Sequence, residues 1–316
     1  VTSLRVLSVA AALAVLPGCI FPVAHQKRPP PLPRDGLSDT SYVLVNNTWI
    51  RVRDMGPAQA EGKRPLLLVH GYGSWLDSWK LVQPELAKDR RVVSLDLKGF
   101  GLSEKPQGAY GPEAHAREVT RLADQLGLER PILVGHSYGG GVVLRAVLRS
   151  EESFSGVVLV SAYALSEQVF RAFRWARVPV LGEFLFWVVF RDLPGEKFAM
   201  AFHDRKRFAT PEAIDDYGEH VTRPGAIYAG LQTVRGMDYQ EAERQYNTIT
   251  LPVLMVYGDD DRTTTPAHAK DLAARLDRGR LLMLERCGHV PPWERPGALT
   301  RAIRDFADAI DQGKQP

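Results

Sequence analysis

The chain has 316 residues, of which 45% are hydrophobic and 24% charged, an ordinary globular composition. Its net charge of +3, with both signs dispersed, excludes the concentrated basic surface of a nucleic-acid binder. Two cysteines, Cys19 and Cys287, exclude a disulfide framework and a cysteine metal cluster, and the length allows one large core with an insertion or two domains.

Residues 1–18 read as a signal sequence. Arg5 gives a weakly positive start, and Val6 to Leu16 is an apolar run of eleven residues. That is too short for a membrane-spanning helix, which takes about 20. Leu16-Pro17-Gly18-Cys19 resembles a bacterial lipobox, with Pro17 an unusual occupant, and the resemblance implies that Cys19 becomes the lipidated first residue of the mature protein. The two or three acyl chains so implied would anchor it stably, at about 0.8 kcal/mol per buried methylene. Ile20 stands where an aspartate would favour inner-membrane retention, so the expected location is the bacterial cell envelope, with a lean towards the outer membrane. Residues 19–40 form a linker. Pro29-Pro30-Pro31 and Pro33, among Lys27, Arg28 and Arg34, favour extended polyproline II and hold the domain off the membrane.

Residues 41–162 carry the first part of the core. Tyr42 to Val45, Asn46-Asn47 and Thr48 to Arg53 spell a hairpin, because asparagine tolerates the positive φ of a tight turn. Pro65 to Val69 is an apolar strand running into His70-Gly71-Tyr72-Gly73, with a helix expected around Trp79 to Ala87. Arg91 to Asp96 is the next strand, ending in a glycine turn from Lys98 to Ser103, and Pro112 to Leu126 has helical spacing. Ile132-Leu133-Val134 then meets Gly135-His136-Ser137-Tyr138-Gly139, followed by an apolar helix, and Gly156 to Val160 is a further strand. Strand, sharp turn and helix place Ser137 at a bend whose glycines remove the Cβ atoms that would clash. Alternating apolar strands and helices argue a mostly parallel, doubly wound α/β sheet.

From 163 to 247 the alternation stops, and an aromatic, arginine-rich insertion follows, with Phe184-Leu185-Phe186-Trp187 at its centre. One reading is a helix buried against the core. The other is that Phe184, Phe186 and Trp187 line an apolar substrate pocket or touch a membrane. The core returns over 248–316. Pro252 to Gly258 is a strand followed by Asp259-Asp260-Asp261, Pro266 to Leu276 is a helix, and Arg280 to Leu284 is the last strand. Of eight histidines, only His289 combines a loop after a late strand with the order serine, acid, histidine. His136 is expected to point away from Ser137, since neighbouring strand side chains alternate. His203, His220 and His268 are read as surface groups, and Cys287 as a small packing residue.

These motifs resemble the α/β-hydrolase fold of serine hydrolases over about residues 41–162 and 248–312. The resemblance implies a helical cap inserted at 163–247 and a triad of Ser137, Asp261 and His289, with Asp261 chosen from the three aspartates by the family's spacing. It implies an oxyanion hole formed by the backbone N–H groups of Tyr72 and Tyr138. Lys98 stands where the family usually has proline. A serine at position 137 argues against epoxide hydrolases and haloalkane dehalogenases, which place an aspartate there. The implied activity is hydrolysis of a carboxylic ester of an apolar small molecule or lipid through an acyl-enzyme, falling as His289 takes up a proton and needing no metal or other cofactor. The same triad serves carbon–carbon hydrolases, thioesterases and amidases, and a non-catalytic envelope-binding lipoprotein is a further alternative. The sequence leaves the oligomeric state unknown.

Overall fold

The computed structural model describes residues 40–58, 60–169, 173–184, 186 and 194–314. The signal sequence, Cys19, most of the linker and Trp187 lie outside the described residues.

Eight strands form one sheet in the order β1-β2-β4-β3-β5-β6-β7-β8. β1 (Thr40–Val45) and β2 (Thr48–Met55) are antiparallel, joined by Asn46 and Asn47 at φ 47° and 62°. β3 (Leu66–Val69), β4 (Val92–Leu95), β5 (Ile132–His136), β6 (Gly156–Val160), β7 (Val253–Gly258) and β8 (Gly279–Leu284) run parallel. Strand alternation divides the core in two. Leu67, Val69 and Leu133 join the cluster on one face, while Leu66, Leu68, Val134 and Val256 join the other. Both faces are apolar, so both must be covered.

Helix α1 (Pro112–Gln125) packs Val119 and Leu122 onto the first face beside α2 (Tyr138–Arg149). Leu299, Ile303 and Phe306 of the helix Pro296–Asp311 cover the second. The helix expected over 79–87 is absent as a single element. Leu76–Trp79 is a 3₁₀ turn and Gln83–Leu86 one α turn, with Pro84 at its start. Proline lacks the N–H that would continue the earlier turn.

The described residues between β6 and β7 are largely helical. They include Pro194–Met200, α3 (Pro211–Thr222) and Ala226–Arg235, and they lie over the carboxyl ends of the strands as a cap. No helix among the described residues is long and apolar enough to cross a membrane.

Candidate active site

Ser137 follows β5 directly and precedes α2, with φ 50° and ψ −121°. A non-glycine residue there stores roughly 1–3 kcal/mol of backbone strain. The turn is tight on every side. A Cβ on Gly135 would meet the Gly139 carbonyl at 2.4 Å, and one on Gly139 would meet the Val69 carbonyl at 2.4 Å. Larger residues would force the elbow open, and the strain would relax away from the geometry that presents the hydroxyl.

Sheet order brings the other side chains to that hydroxyl. β7 lies next to β6, and β8 next to β7, so loops leaving their carboxyl ends reach the same edge. His289 Nε2 is 2.9 Å from Ser137 Oγ, and His289 Nδ1 is 2.9 Å from Asp261 Oδ2. Asp261 is buried, and its carboxylate also accepts the Thr263 and Thr264 N–H groups at 2.8 Å and the Thr264 hydroxyl at 2.7 Å. Burial pushes its pKa up, but the neighbouring His289 imidazole and these hydrogen bonds outweigh it and hold Asp261 below the usual carboxylate range. Asp259 accepts the Cys287 N–H, and Asp260 faces Arg262 and His203. Cys287 is fully buried, and burial pushes its thiol pKa up, which suits packing rather than attack.

The loop after β3 passes beside the elbow, where a Cβ on Gly71 would lie 3.1 Å from Ser137 Cβ. Its next residue, Tyr72, lines the same cavity as Ser137 and Tyr138. The Tyr138 N–H is the first of α2 and has no partner within that helix. His70 fixes this loop. Its Nδ1–H donates to the Gly71 carbonyl at 2.7 Å, and its Nε2 accepts the Leu97 N–H at 2.9 Å. Burial lowers its pKa and keeps it neutral, as both bonds require. The turn from Asp96 to Ser103 is structural. Asp96 accepts the N–H groups of Leu76 and Leu102, and Ser103 bridges Asp96 to Arg51.

A cavity of about 240 Å³ opens above Ser137 and His289. Its walls are mostly aromatic, with Trp75, Tyr163, Phe173, Phe198, Tyr217 and Trp293 among them, and no lysine or arginine occurs among its described lining residues. A site so built admits apolar, uncharged groups and excludes water from the reacting atoms. The loop bearing His289 is tied to the cap. The His289 N–H donates to the Ala201 carbonyl at 2.7 Å, while Glu294 accepts the Gly288 N–H at 2.9 Å and the His203 N–H at 2.8 Å.

Several expected positions differ. Phe184 is 58% exposed and does not line the cavity, because its turn of the insertion faces outward. Phe186 is buried, but it lines a smaller cavity that shares Tyr72 and Ser74 with the first. His136 keeps the strand alternation, its ring edge-on to Trp79 at 6.3 Å on the second face. Its Nε2–H donates to the His289 carbonyl at 2.8 Å, and the residue borders the cavity. His220 is no plain surface group, since it stacks on Trp75. Thr264, Glu294 and His115, which hold the candidate catalytic groups, carry no motif in the sequence. Only contacts between distant segments reveal them.

A family model described as the alpha/beta hydrolase fold matches residues 64–296. An uncharacterized hydrolase of Bacillus subtilis, YugF, is 28% identical over 250 residues, 78% of this chain and 91% of its own. The 2-hydroxy-6-oxo-2,4-heptadienoate hydrolase of Pseudomonas putida is 27% identical over 282 residues, 85% of this chain and 96% of its own. The crystal structure of a membrane phospholipase A, a bacterial virulence factor, superposes with a TM-score of 0.69 at 26% identity, covering 97% of this chain and 96% of that one.

Proposed function

The chain belongs to the alpha/beta hydrolase fold family, and from that premise we propose that it is a serine hydrolase cleaving carboxylic esters of apolar small molecules or lipids. The observation that carries this reading is the unbroken series from Ser137 Oγ through the His289 imidazole to Asp261, at 2.9 Å for each link, set in an aromatic cavity.

Ser137 Oγ attacks the ester carbonyl as His289 Nε2 takes its proton, and Asp261 holds the ring's tautomer and stabilises the imidazolium. The carbonyl oxygen becomes an oxyanion facing the Tyr72 and Tyr138 N–H groups. One such donor is worth about 2.7–4 kcal/mol, or 10² to 10³ in rate. The tetrahedral species then collapses, the alcohol leaves with the proton held by His289, and the acyl group stays on Ser137. Water, deprotonated by His289, attacks the acyl-enzyme, and the second collapse frees the carboxylic acid and restores the serine hydroxyl.

Charge favours an ester over the substrate named for the Pseudomonas putida relative. A dienoate is an anion, and no cationic side chain occurs among the described cavity residues. The likeness to a membrane phospholipase A supports a lipid ester, and it accords with placing the protein at the bacterial cell envelope, anchored through Cys19. Thioesters and amides would pass through the same steps.

The test is covalent labelling with a fluorophosphonate probe, followed by a panel of p-nitrophenyl and phospholipid esters of graded acyl length. The expected result is labelling that Ser137→Ala abolishes, with turnover of the esters. An unlabelled wild type would leave a non-catalytic binding protein. Turnover of dienoates but not esters would make it a carbon–carbon hydrolase.

A further inference from the structure

A buried hydrogen-bonded column lies beneath the elbow, and the chemistry at Ser137 does not itself use it. The Tyr138 ring runs inward and is 1% exposed. Its hydroxyl is 2.7 Å from His115 Nδ1, and His115 Nε2 is 3.0 Å from the Lys98 carbonyl. A carbonyl can only accept, so Nε2 carries the proton, and Nδ1 of the neutral ring accepts the Tyr138 O–H. His115 is fully buried on α1; burial first, then the nearby Lys98 ammonium, lowers its pKa to about 3. Burial pushes the Tyr138 phenol up, so it keeps the proton it donates. Lys98 is itself fixed, its ammonium 2.5 Å from Glu118 and 4.9 Å from the centre of the Tyr110 ring.

Ring contacts close the arrangement. Tyr138 meets Tyr72 edge-on at 6.4 Å, Tyr72 meets Phe100 at 5.6 Å, Phe100 meets His115 at 6.1 Å, and His115 meets Tyr138 at 5.7 Å. The side chains of both candidate oxyanion donors therefore belong to one closed circuit of four rings. His115 is the member that joins it to α1 and to the Lys98 loop by hydrogen bonds.

We propose that His115 is a positioning residue for the oxyanion hole, acting through the Tyr138 phenol to aim the Tyr138 backbone N–H at the developing oxyanion. The assignment rests on the serine hydrolase reading above. Its physical basis is that the donor peptide directly follows a strained residue, so its direction depends on what holds it. A donor displaced by even 1 Å loses most of its preference for the transition state over the substrate. Lys98 adds a backbone acceptor and a buried ion pair to the same support.

The experiment is a double-mutant cycle on a p-nitrophenyl ester with Tyr138→Phe, His115→Leu and the pair, with His115→Gln as the conservative replacement. Each single variant should lose about 10- to 100-fold in kcat with KM changed less than about threefold. The double variant should lose no more than either single one. His115→Gln, which can still accept from Tyr138 and donate to Lys98, should recover most of the loss. Affinity for a trifluoromethyl ketone, which forms a tetrahedral oxyanion on Ser137, should fall in step with kcat/KM. Tyr138→Phe is nearly isosteric and keeps the test open should His115→Leu fail to fold. Wild-type kcat in Tyr138→Phe, losses that multiply in the pair, or a loss carried by KM would each overturn the proposal while leaving the serine hydrolase intact. Absence of fluorophosphonate labelling in the wild type would instead remove the reading on which it rests.

Discussion

The Trp75 indole and the His220 imidazole lie face to face, 3.8 Å between centroids and 4° from parallel. Trp75 belongs to the core loop that carries Tyr72, and His220 to the last turn of α3 in the cap. Tyr217, one turn earlier, packs on Trp75 at 6.5 Å and on Phe198 at 5.1 Å, and all three rings line the cavity. His220→Ala should therefore loosen the cap over the substrate. A ring pair of this kind contributes about 0.5–1.5 kcal/mol, so KM for an ester should rise about 2- to 10-fold with kcat little changed. An unchanged KM would contradict this role.

Asp261→Asn should lower kcat by about 10⁴, because the amide would favour the wrong His289 tautomer while the Thr263 and Thr264 N–H groups still hold the side chain in place. Ser137→Ala combined with His289→Ala should be no worse than Ser137→Ala alone, since the two act as a unit. Steady-state rates on one ester decide both points, and multiplicative losses would count against a shared mechanism.

Acid should destabilise the fold through its buried neutral histidines. Burial first holds His115 and His136 at about 3, against 6.5 for an ordinary histidine. Between those values the unfolded chain binds more protons, so the stability present above about pH 6.5 is lost as the pH falls towards 3. Glu118 and Glu294, raised by burial, act in the opposite sense. The histidine contribution is isolated by comparing wild type with His136→Asn. Tm should fall more steeply in the wild type between pH 6.5 and 4, and parallel profiles would refute the assignment.

Met237 and Phe173 stand between the cavity above Ser137 and another of about 200 Å³, and both residues line each. Met237→Ala should join the two and move the preferred acyl length upward on a graded ester series. Phe184→Ala should leave the profile unchanged, because that ring faces solvent. The reverse pattern would return the specificity to the residues first expected to set it.

The legible parts of this protein are those where one local requirement dominates. A Cβ at Gly135 or Gly139 would meet backbone at 2.4 Å, a constraint only glycine meets, so the pattern around Ser137 announces its turn. Fully apolar runs announced the parallel strands, and the order serine, acid, histidine announced which loops would meet. The illegible parts depend on which distant segments touch. Glu294 holds N–H groups 6 and 91 residues away, and His115 meets Tyr138 across 23 residues; no local pattern encodes either pairing. Phe184 and Phe186 have the same chemistry and opposite burial, decided by which side of a helical insertion each falls on.

The Glu294 carboxylate and the Ala201 carbonyl fasten one margin of the cap to the segment bearing His289. Lifting that margin would drag the imidazole away from Ser137. The opposite margin is held by the stacked faces of Trp75 and His220, whose separation would break no hydrogen bond between them. A cap that opened at the ring margin would leave His289 seated against Ser137.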